Sequence, residues 1–184
     1  MAADTSPQVE PQTEIHISEV PVFPLGVPFK RLSARAIPPA RATGGSACYD
    51  LYADEAGVIE PGSVQSIGTG WAAQLPPGTV MLVFGRSGLA ARSGVRLANG
   101  VGVVDSDYRG ELRCLLTMDA PPGDVAHAFF RVQPGMRIAQ FMVLELPLLQ
   151  LIEVEELDPT ERGEGGFGST GLTAGGGTGV TSDS

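Results

Sequence analysis

Proline and glycine keep this chain from continuing any one element for long. Turns at EPGS (60–63), LPPG (75–78), APPGD (120–124) and QPGM (133–136) interrupt the apolar runs. Proline presets one turn dihedral and glycine accepts the positive one. The runs between turns are short and of β type: TVMLVF, ELRCLLTM, AFFRV and RIAQFMVLEL. With 25 glycines and 15 prolines in 184 residues, a bundle of long helices is ruled out. Many short strands separated by such turns predict an all-β sandwich, jelly roll or barrel. Only SGLAARSG, after Arg86, reads as a helix, and a short one. No solenoid-type repeat is present. The length suits one domain, and 42% hydrophobic residues suffice for a core.

The two ends differ from the middle. Residues 1–20 are polar and proline-bearing and read as a mobile tail. The last residues, from Thr173, are mostly Gly, Thr and Ser and read the same way. The net charge of −9 argues against a general nucleic-acid surface. A phosphorylated small molecule would need a local arginine cluster or a divalent metal. Lys30 is the only lysine, so arginine supplies nearly all the positive charge, and its planar fork suits phosphate oxygens. Cys48 and Cys114 are too few for a disulfide framework and lack metal-site spacing. No basic region followed by an apolar stretch opens the chain. The longest apolar run, FMVLELPLLQLI, carries Glu145 and Pro147 and is too short to span a bilayer. A soluble, intracellular protein with no membrane partner is expected, cytoplasmic, or nuclear for a eukaryotic or viral source.

Several motifs fail. Gly163, Gly165 and Gly168 spell G-x-G-x-x-G, but a dinucleotide fold needs a helix and strand behind that pattern, and no room remains. No phosphate loop with Gly-Lys-Ser/Thr and no G-x-S-x-G elbow occurs. His16 and His127 are isolated.

Five segments resist explanation as packing: SACYDLYAD with Asp50, GRSGLA with Arg86, Ser87 and Gly88, NGVGVVDSDYRGEL with Asn99, Asp105, Asp107, Tyr108 and Arg109, GMRIAQ with Arg137 and Gln140, and RGEGGFGSTG from Arg162 to Gly171. Singly, each has a plain reading. Asp105 suits a hairpin turn, Arg86–Gly88 a strand end with a helix cap, Asp50 a surface strand and Tyr108 a rim aromatic. Asn99 is the only asparagine.

Together, in this order and spacing, the five segments resemble the motifs of the trimeric deoxyuridine triphosphatases (dUTPases), from about residue 28 to Gly171. The resemblance implies an all-β jelly roll, a β-clip-like barrel with one short helix, assembled as a homotrimer. Its active sites would lie between subunits, each closed by a flexible C-terminal arm from another subunit. The expected organisation is a β domain (21–160) and a Gly-rich closing arm (161–171), flanked by a disordered tail (1–20) and a disordered extension (172–184) that lie outside the resemblance. The implied reaction converts dUTP and water to dUMP and pyrophosphate by in-line attack at the α-phosphorus, with Mg²⁺ on the triphosphate. It would limit uracil incorporation into DNA and supply dUMP for thymidylate synthesis.

By the same resemblance, Asp105 is the general base for the attacking water; Asp107, two residues on, is expected to face the other side of an extended segment and so to be structural. Asp50 holds a metal-bound water. Arg86, Ser87 and Gly88 meet the phosphates with the Gln140 amide, and Arg137 is either structural or a substrate contact. Asn99 and the main chain around Gly102 and Val103 pair with the uracil edge, while Tyr108 packs on the deoxyribose and excludes a 2′-hydroxyl. In the arm, Phe167 stacks on uracil, and Arg162, Gly168, Ser169 and Thr170 bind the phosphate end. Glycines 163, 165, 166 and 168 let that backbone wrap closely.

Two positions depart from the family pattern: Cys48 stands for the usual glycine and Gly85 for the usual proline. Gly85 is expected to loosen the strand end that places Arg86, and Cys48 to be open to oxidation. A dCTP deaminase, related in fold, would need a catalytic glutamate that GRSGLAARSG lacks. A regulatory binding role on the same scaffold would add to hydrolysis rather than replace it.

Overall fold

The computed structural model describes residues 26–119 and 128–166. Among the described residues, ten strands and one helix follow in order: β1 Phe29–Arg31, β2 Tyr49–Tyr52, β3 Gly57–Ile59, β4 Gln65–Ala73, β5 Thr79–Phe84, α1 Ser87–Ser93, β6 Val95–Leu97, β7 Val101–Val104, β8 Glu111–Met118, β9 Phe130–Val132 and β10 Arg137–Glu145. They form two four-stranded sheets, in the orders β1-β4-β8-β6 and β2-β10-β5-β7, with β3 and β9 as a separate pair. All named pairings are antiparallel. The all-β reading with one short helix holds. The chain divides after Pro147, and the stretch from Leu148 is a unit of its own. The tails expected at 1–20 and 172–184, His127, and Phe167, Gly168, Ser169 and Thr170 lie outside the described residues.

Pattern explains the strands that were legible. β5 coincides with TVMLVF and β8 with ELRCLLTM. In β8, Leu112, Cys114 and Leu116 turn inward while Arg113 and Leu115 face out, the two-residue alternation of a half-buried strand. The core gathers Leu51, Ile59, Ile67, Met81, Leu116 and Ile138, all nearly inaccessible. Helix α1 stops at Gly94, whose φ of 64° suits glycine and whose N–H reaches the Ala90 carbonyl at 3.0 Å.

Strand β4 was not legible. QSIGTGWAA carries two glycines in its interior, which weaken a strand. Its pairing with β8 also slips between Gly68 and Ala72, where β4 spends extra residues on a bulge. Gly70 stands there with φ 72°, and a Cβ on it would lie 2.6 Å from the Ala36 Cβ.

Side chains replace the lost ladder bonds. Glu111 Oε1 accepts from the Gly70 N–H at 2.9 Å and Glu55 Oε1 from the Gly68 N–H at 2.7 Å. Arg113 bridges the two carboxylates at 2.7 and 2.6 Å and donates to the Ser66 hydroxyl and carbonyl. The buried Thr69 hydroxyl donates to the Leu112 carbonyl at 2.7 Å. The Gly68 and Gly70 N–H groups and the Thr69 hydroxyl thus all have partners at the bulge.

This brace should be sensitive to acid. The Gly68 N–H, then Arg113, hold the Glu55 carboxyl below its ordinary value. A carboxyl lowered by folding adds stability above the unfolded value of about 4.3, and that stability is lost as pH falls through the folded value. Urea unfolding from pH 7 to pH 3 should show wild type losing stability below about pH 4.3, with a shallower slope for Glu55→Gln. Equal slopes would show that the brace does not couple to Glu55.

Candidate active site

Register gathers residues far apart in the sequence. Across the second sheet, Asp50 lies opposite Gln140, Gln140 opposite Phe84 and Phe84 opposite Val101. Arg86, two residues past the end of β5, therefore stands at the same end of the sheet as Asp50 and Gln140.

Arg137 and Gln140 are three residues apart, which in a regular strand would put them on opposite faces. The pairing of β10 with β2 slips between Arg137 and Ala139, so Arg137 faces Tyr52 while Gln140 faces Asp50. The extra residue returns both side chains to one face.

Asp50 is the hub of this cluster. It is 7% exposed, and each carboxylate oxygen faces a different guanidinium: Oδ1 to Arg86 Nε at 3.1 Å and Oδ2 to Arg137 Nη1 at 3.2 Å. Arg86 Nη1 also donates to the Arg137 carbonyl at 3.3 Å. The plain reading of Asp50 as a surface charge is thereby corrected, because the neighbouring strand and the β5 terminus cover it. Among the described residues, no three of His, Cys, Asp and Glu stand close enough to hold a metal. This donor set does not fit a protein-held Mg²⁺, and any metal-bound water on Asp50 would have to share oxygens already paired with arginine.

Gln140 is half-buried, and its Nε2 donates to the Gly85 carbonyl at 3.0 Å. The departure at Gly85 therefore leaves the group that fixes Gln140 intact. A Cβ there would meet only the Leu97 nitrogen, at an ordinary 3.8 Å. Ser87 and Gly88 are exposed in the first turn of α1, where backbone N–H groups have no intrahelical acceptor. The Cys48 thiol is half-buried, and burial pushes its pKa up despite the opposing pull of Arg41. That leaves less of the oxidisable thiolate than its sequence position suggested.

A second group lines a cavity of about 230 Å³. Asn99, Gly102, Val103, Asp105 and Tyr108 border it, with Leu51, Val83, Leu97 and Leu112 as apolar walls. That volume is below the about 300–1,000 Å³ of a drug-sized site and suits a single small ring. Gly102 lets β7 come close: a Cβ there would be 3.2 Å from the Val83 Cβ and 3.6 Å from the Asn99 amide nitrogen. Cys114 also borders the cavity, but burial raises its thiol to about 12 and leaves it inert.

The segment carrying these residues is not a paired hairpin. β6 pairs with β8 in one sheet and β7 with β5 in the other, so the chain crosses between sheets at Asn99 and again after Asp105. The second crossing is a turn closed by the Tyr108 N–H on the Asp105 carbonyl at 3.2 Å. On a strand, residues 105 and 107 would share a face. The turn instead puts Asp105 at its first position and Asp107 at its tip.

Arg109, whose role the sequence did not reveal, pins this turn through Nη1 to the carbonyls of Ser106 at 2.7 Å and Tyr108 at 2.8 Å. The Tyr108 hydroxyl donates to the Glu111 carbonyl at 3.0 Å.

The two groups are far apart in one chain. From Gln140 to β7 is two inter-strand steps of about 4.8 Å, and Asp105 lies four residues, about 13–14 Å, along β7 from Val101. The backbone separation is thus about 16–17 Å, and Arg86 is farther still. Arg162 lies in the unit after Pro147, where its Nε donates to the Gly165 carbonyl at 2.9 Å and holds a turn.

A family model described as dUTPase matches residues 34–171. The deoxyuridine 5'-triphosphate nucleotidohydrolase of Corynebacterium glutamicum is 47% identical over 137 residues, covering 74% of this chain and 88% of the relative. The enzyme of the same name from Caulobacter vibrioides is 44% identical over 154 residues, covering 80% and 96%. Among solved structures, a dUTPase variant of Staphylococcus bacteriophage 80alpha, bound to dUpNHpp, superposes with a TM-score of 0.74 at 28% identity. It covers 80% of this chain and 99% of the other.

The Asp50 hub makes a stability prediction. Asp50→Asn keeps the shape but removes the charge shared by two guanidiniums, and should cost about 1.5–3 kcal/mol in denaturant unfolding. Arg137→Ala, which leaves the Arg86 pair in place, should cost less. A negligible loss in Asp50→Asn would reduce the hub to a screened surface pair.

Proposed function

The chain belongs to the dUTPase family, and from that premise we propose that it hydrolyses dUTP to dUMP and pyrophosphate in a site shared between subunits. The observation that carries this reading is the 230 Å³ cavity bordered at once by Asn99, Asp105 and Tyr108. A ring with its polar edge toward Asn99 and the β7 backbone would leave Asp105 at the mouth, where the α-phosphorus follows the sugar.

Asp105 then acts as general base on the attacking water, a role typically worth about 10²- to 10⁴-fold. Tyr108 packs on the deoxyribose. Arg86, Ser87, Gly88 and Gln140 receive the phosphates with charged and neutral donors, and Arg137 acts through Asp50 to hold Arg86. Mg²⁺ enters as part of the substrate, on triphosphate oxygens with its own waters, which suits an ion that dehydrates reluctantly. Arg162, Phe167, Gly168, Ser169 and Thr170 are assigned to a closing arm over residues 161–171.

Distance supports the homotrimer. A base about 16–17 Å from Gln140 along its own sheet lies far from the phosphates that Gln140 and Arg86 would hold, which favours a site whose two halves come from different copies. The uncovered apolar surface agrees with assembly. Leu148, Leu151 and Leu157 stand almost wholly exposed, and a hollow of about 710 Å³ is lined by the half-buried Val27, Phe29 and Val143 and the exposed Tyr49. No helix among the described residues is long and apolar enough to cross a membrane.

Pyrophosphate release with Mg²⁺ should be fast from dUTP and slow from dTTP, dCTP and UTP. It should fall by about 10²- to 10⁴-fold in Asp105→Asn. Ammonia release from dCTP, or an unimpaired Asp105→Asn, would overturn the reading.

The shared site predicts complementation. Asp105→Asn and Arg86→Ala, each nearly inactive alone, should regain about a quarter of wild-type activity after unfolding and refolding as an equal mixture, the share of sites with both halves intact by random assembly. No gain on mixing would place both halves in one chain.

A further inference from the structure

Tyr108 owes its position to an absent side chain. Its ring lies across Gly110: a Cβ built on that glycine would stand 2.6 Å from Tyr108 Cζ and 3.0 Å from Cε2, and closer still to the hydroxyl oxygen. Ordinary carbon–carbon contact is about 3.5–4.0 Å, so any side chain at position 110 has to move the phenol end by about 1 Å.

The surroundings decide what moves. The backbone is pinned on one side by Arg109 Nη1 on the Ser106 and Tyr108 carbonyls, and on the other Gly110 runs directly into β8 at Glu111. The ring is 45% exposed and held at its tip by a single bond to the Glu111 carbonyl. The free end of an exposed side chain yields more readily than a clamped turn, so the ring swings, the fold is spared and the cavity wall changes.

We propose that Gly110 is a specificity-determining positioning residue: its bare backbone seats the Tyr108 ring where the ring fits deoxyribose and excludes a 2′-hydroxyl. This rests on the dUTPase reading above. Gly110 touches no substrate and acts only through Tyr108. A ring displaced by about 1 Å loses contact with the deoxy sugar and opens space beside C2′, and misplacement on that scale can cost about 10²-fold in a site.

The test is a double-mutant cycle of Gly110→Ala and Tyr108→Ala, read as kcat/KM for dUTP and for UTP, with Tm measured for each variant. Gly110→Ala is expected to lower the dUTP/UTP preference by about tenfold or more, a difference the size of one methylene in a pocket, while Tm stays near wild type. In the Tyr108→Ala background the same substitution is expected to leave the preference unchanged. An unaltered preference in Gly110→Ala, or an equal change without Tyr108, overturns the proposal. So does a fall in Tm with both substrates slowed alike, which marks a merely structural glycine. A wild-type protein that fails to turn over dUTP overturns the dUTPase reading itself, and this inference with it. Turnover with an unaltered preference overturns the inference alone.

Discussion

The backbone pairing that lines up Asp50, Gln140, Phe84 and Val101 across four strands governs the cluster of polar side chains around Asp50. None of these residues is near another in the chain. A slip of one residue in β10 would turn Gln140 and Arg137 to the opposite face, separating both from Asp50. Register of this kind is fixed by burial on the other face, where Ile138, Ala139 and Phe141 are almost inaccessible. The extra residue in β10 then does what a regular strand cannot, by presenting Arg137 and Gln140 together. Core packing and the geometry of the Asp50 cluster are thus set by the same ladder.

The other end of the sheet system depends on a defect. β4 bulges against β8, and Glu111 repairs the break by accepting from Gly70 with its carboxylate. The carbonyl of the same residue receives the Tyr108 hydroxyl. One residue therefore ties the integrity of the first sheet to the wall of the cavity, with Arg113 and Glu55 holding its side chain in place. Gly70 and Tyr108 are thus linked through two bonds to Glu111, one to its carboxylate and one to its carbonyl.

Sequence pattern revealed what is local. β5, β8 and α1 could be read with their boundaries because each is a contiguous run closed by turn residues or glycine. β4 could not, since its stability comes from Glu55, Glu111 and Arg113 rather than from the composition of QSIGTGWAA. The motif residues were found because several unusual residues fall in a family order, and the cavity does gather Asn99, Gly102, Val103, Asp105 and Tyr108. Their mechanical supports were hidden. Arg109 clamps a turn through main-chain oxygens, and Arg137 reaches Asp50 from 87 residues away. Neither relation leaves a mark in the spacing. In NGVGVVDSDY the glycines and turn residues signal a change of direction, which serves equally well when the flanking strands leave for different sheets.

A chain of net charge −9 that receives a triphosphate must overcome repulsion locally. Placing Asp50 between two arginines looks like the wrong choice, since it subtracts positive charge at the proposed phosphate site. Its effect is to hold Arg86. A free arginine loses rotamer freedom on meeting a phosphate, at about 0.5–1.5 kcal/mol for an immobilised side chain. Arg86 has already lost it, with Nε on Asp50 and Nη1 on the Arg137 carbonyl. The planar fork is fixed before the ligand arrives, with its remaining donors still to be used. Two guanidiniums against one carboxylate leave a surplus of one positive charge, concentrated beside the exposed Ser87 and Gly88. Local attraction in an acidic protein is here obtained by orientation rather than by accumulating charge.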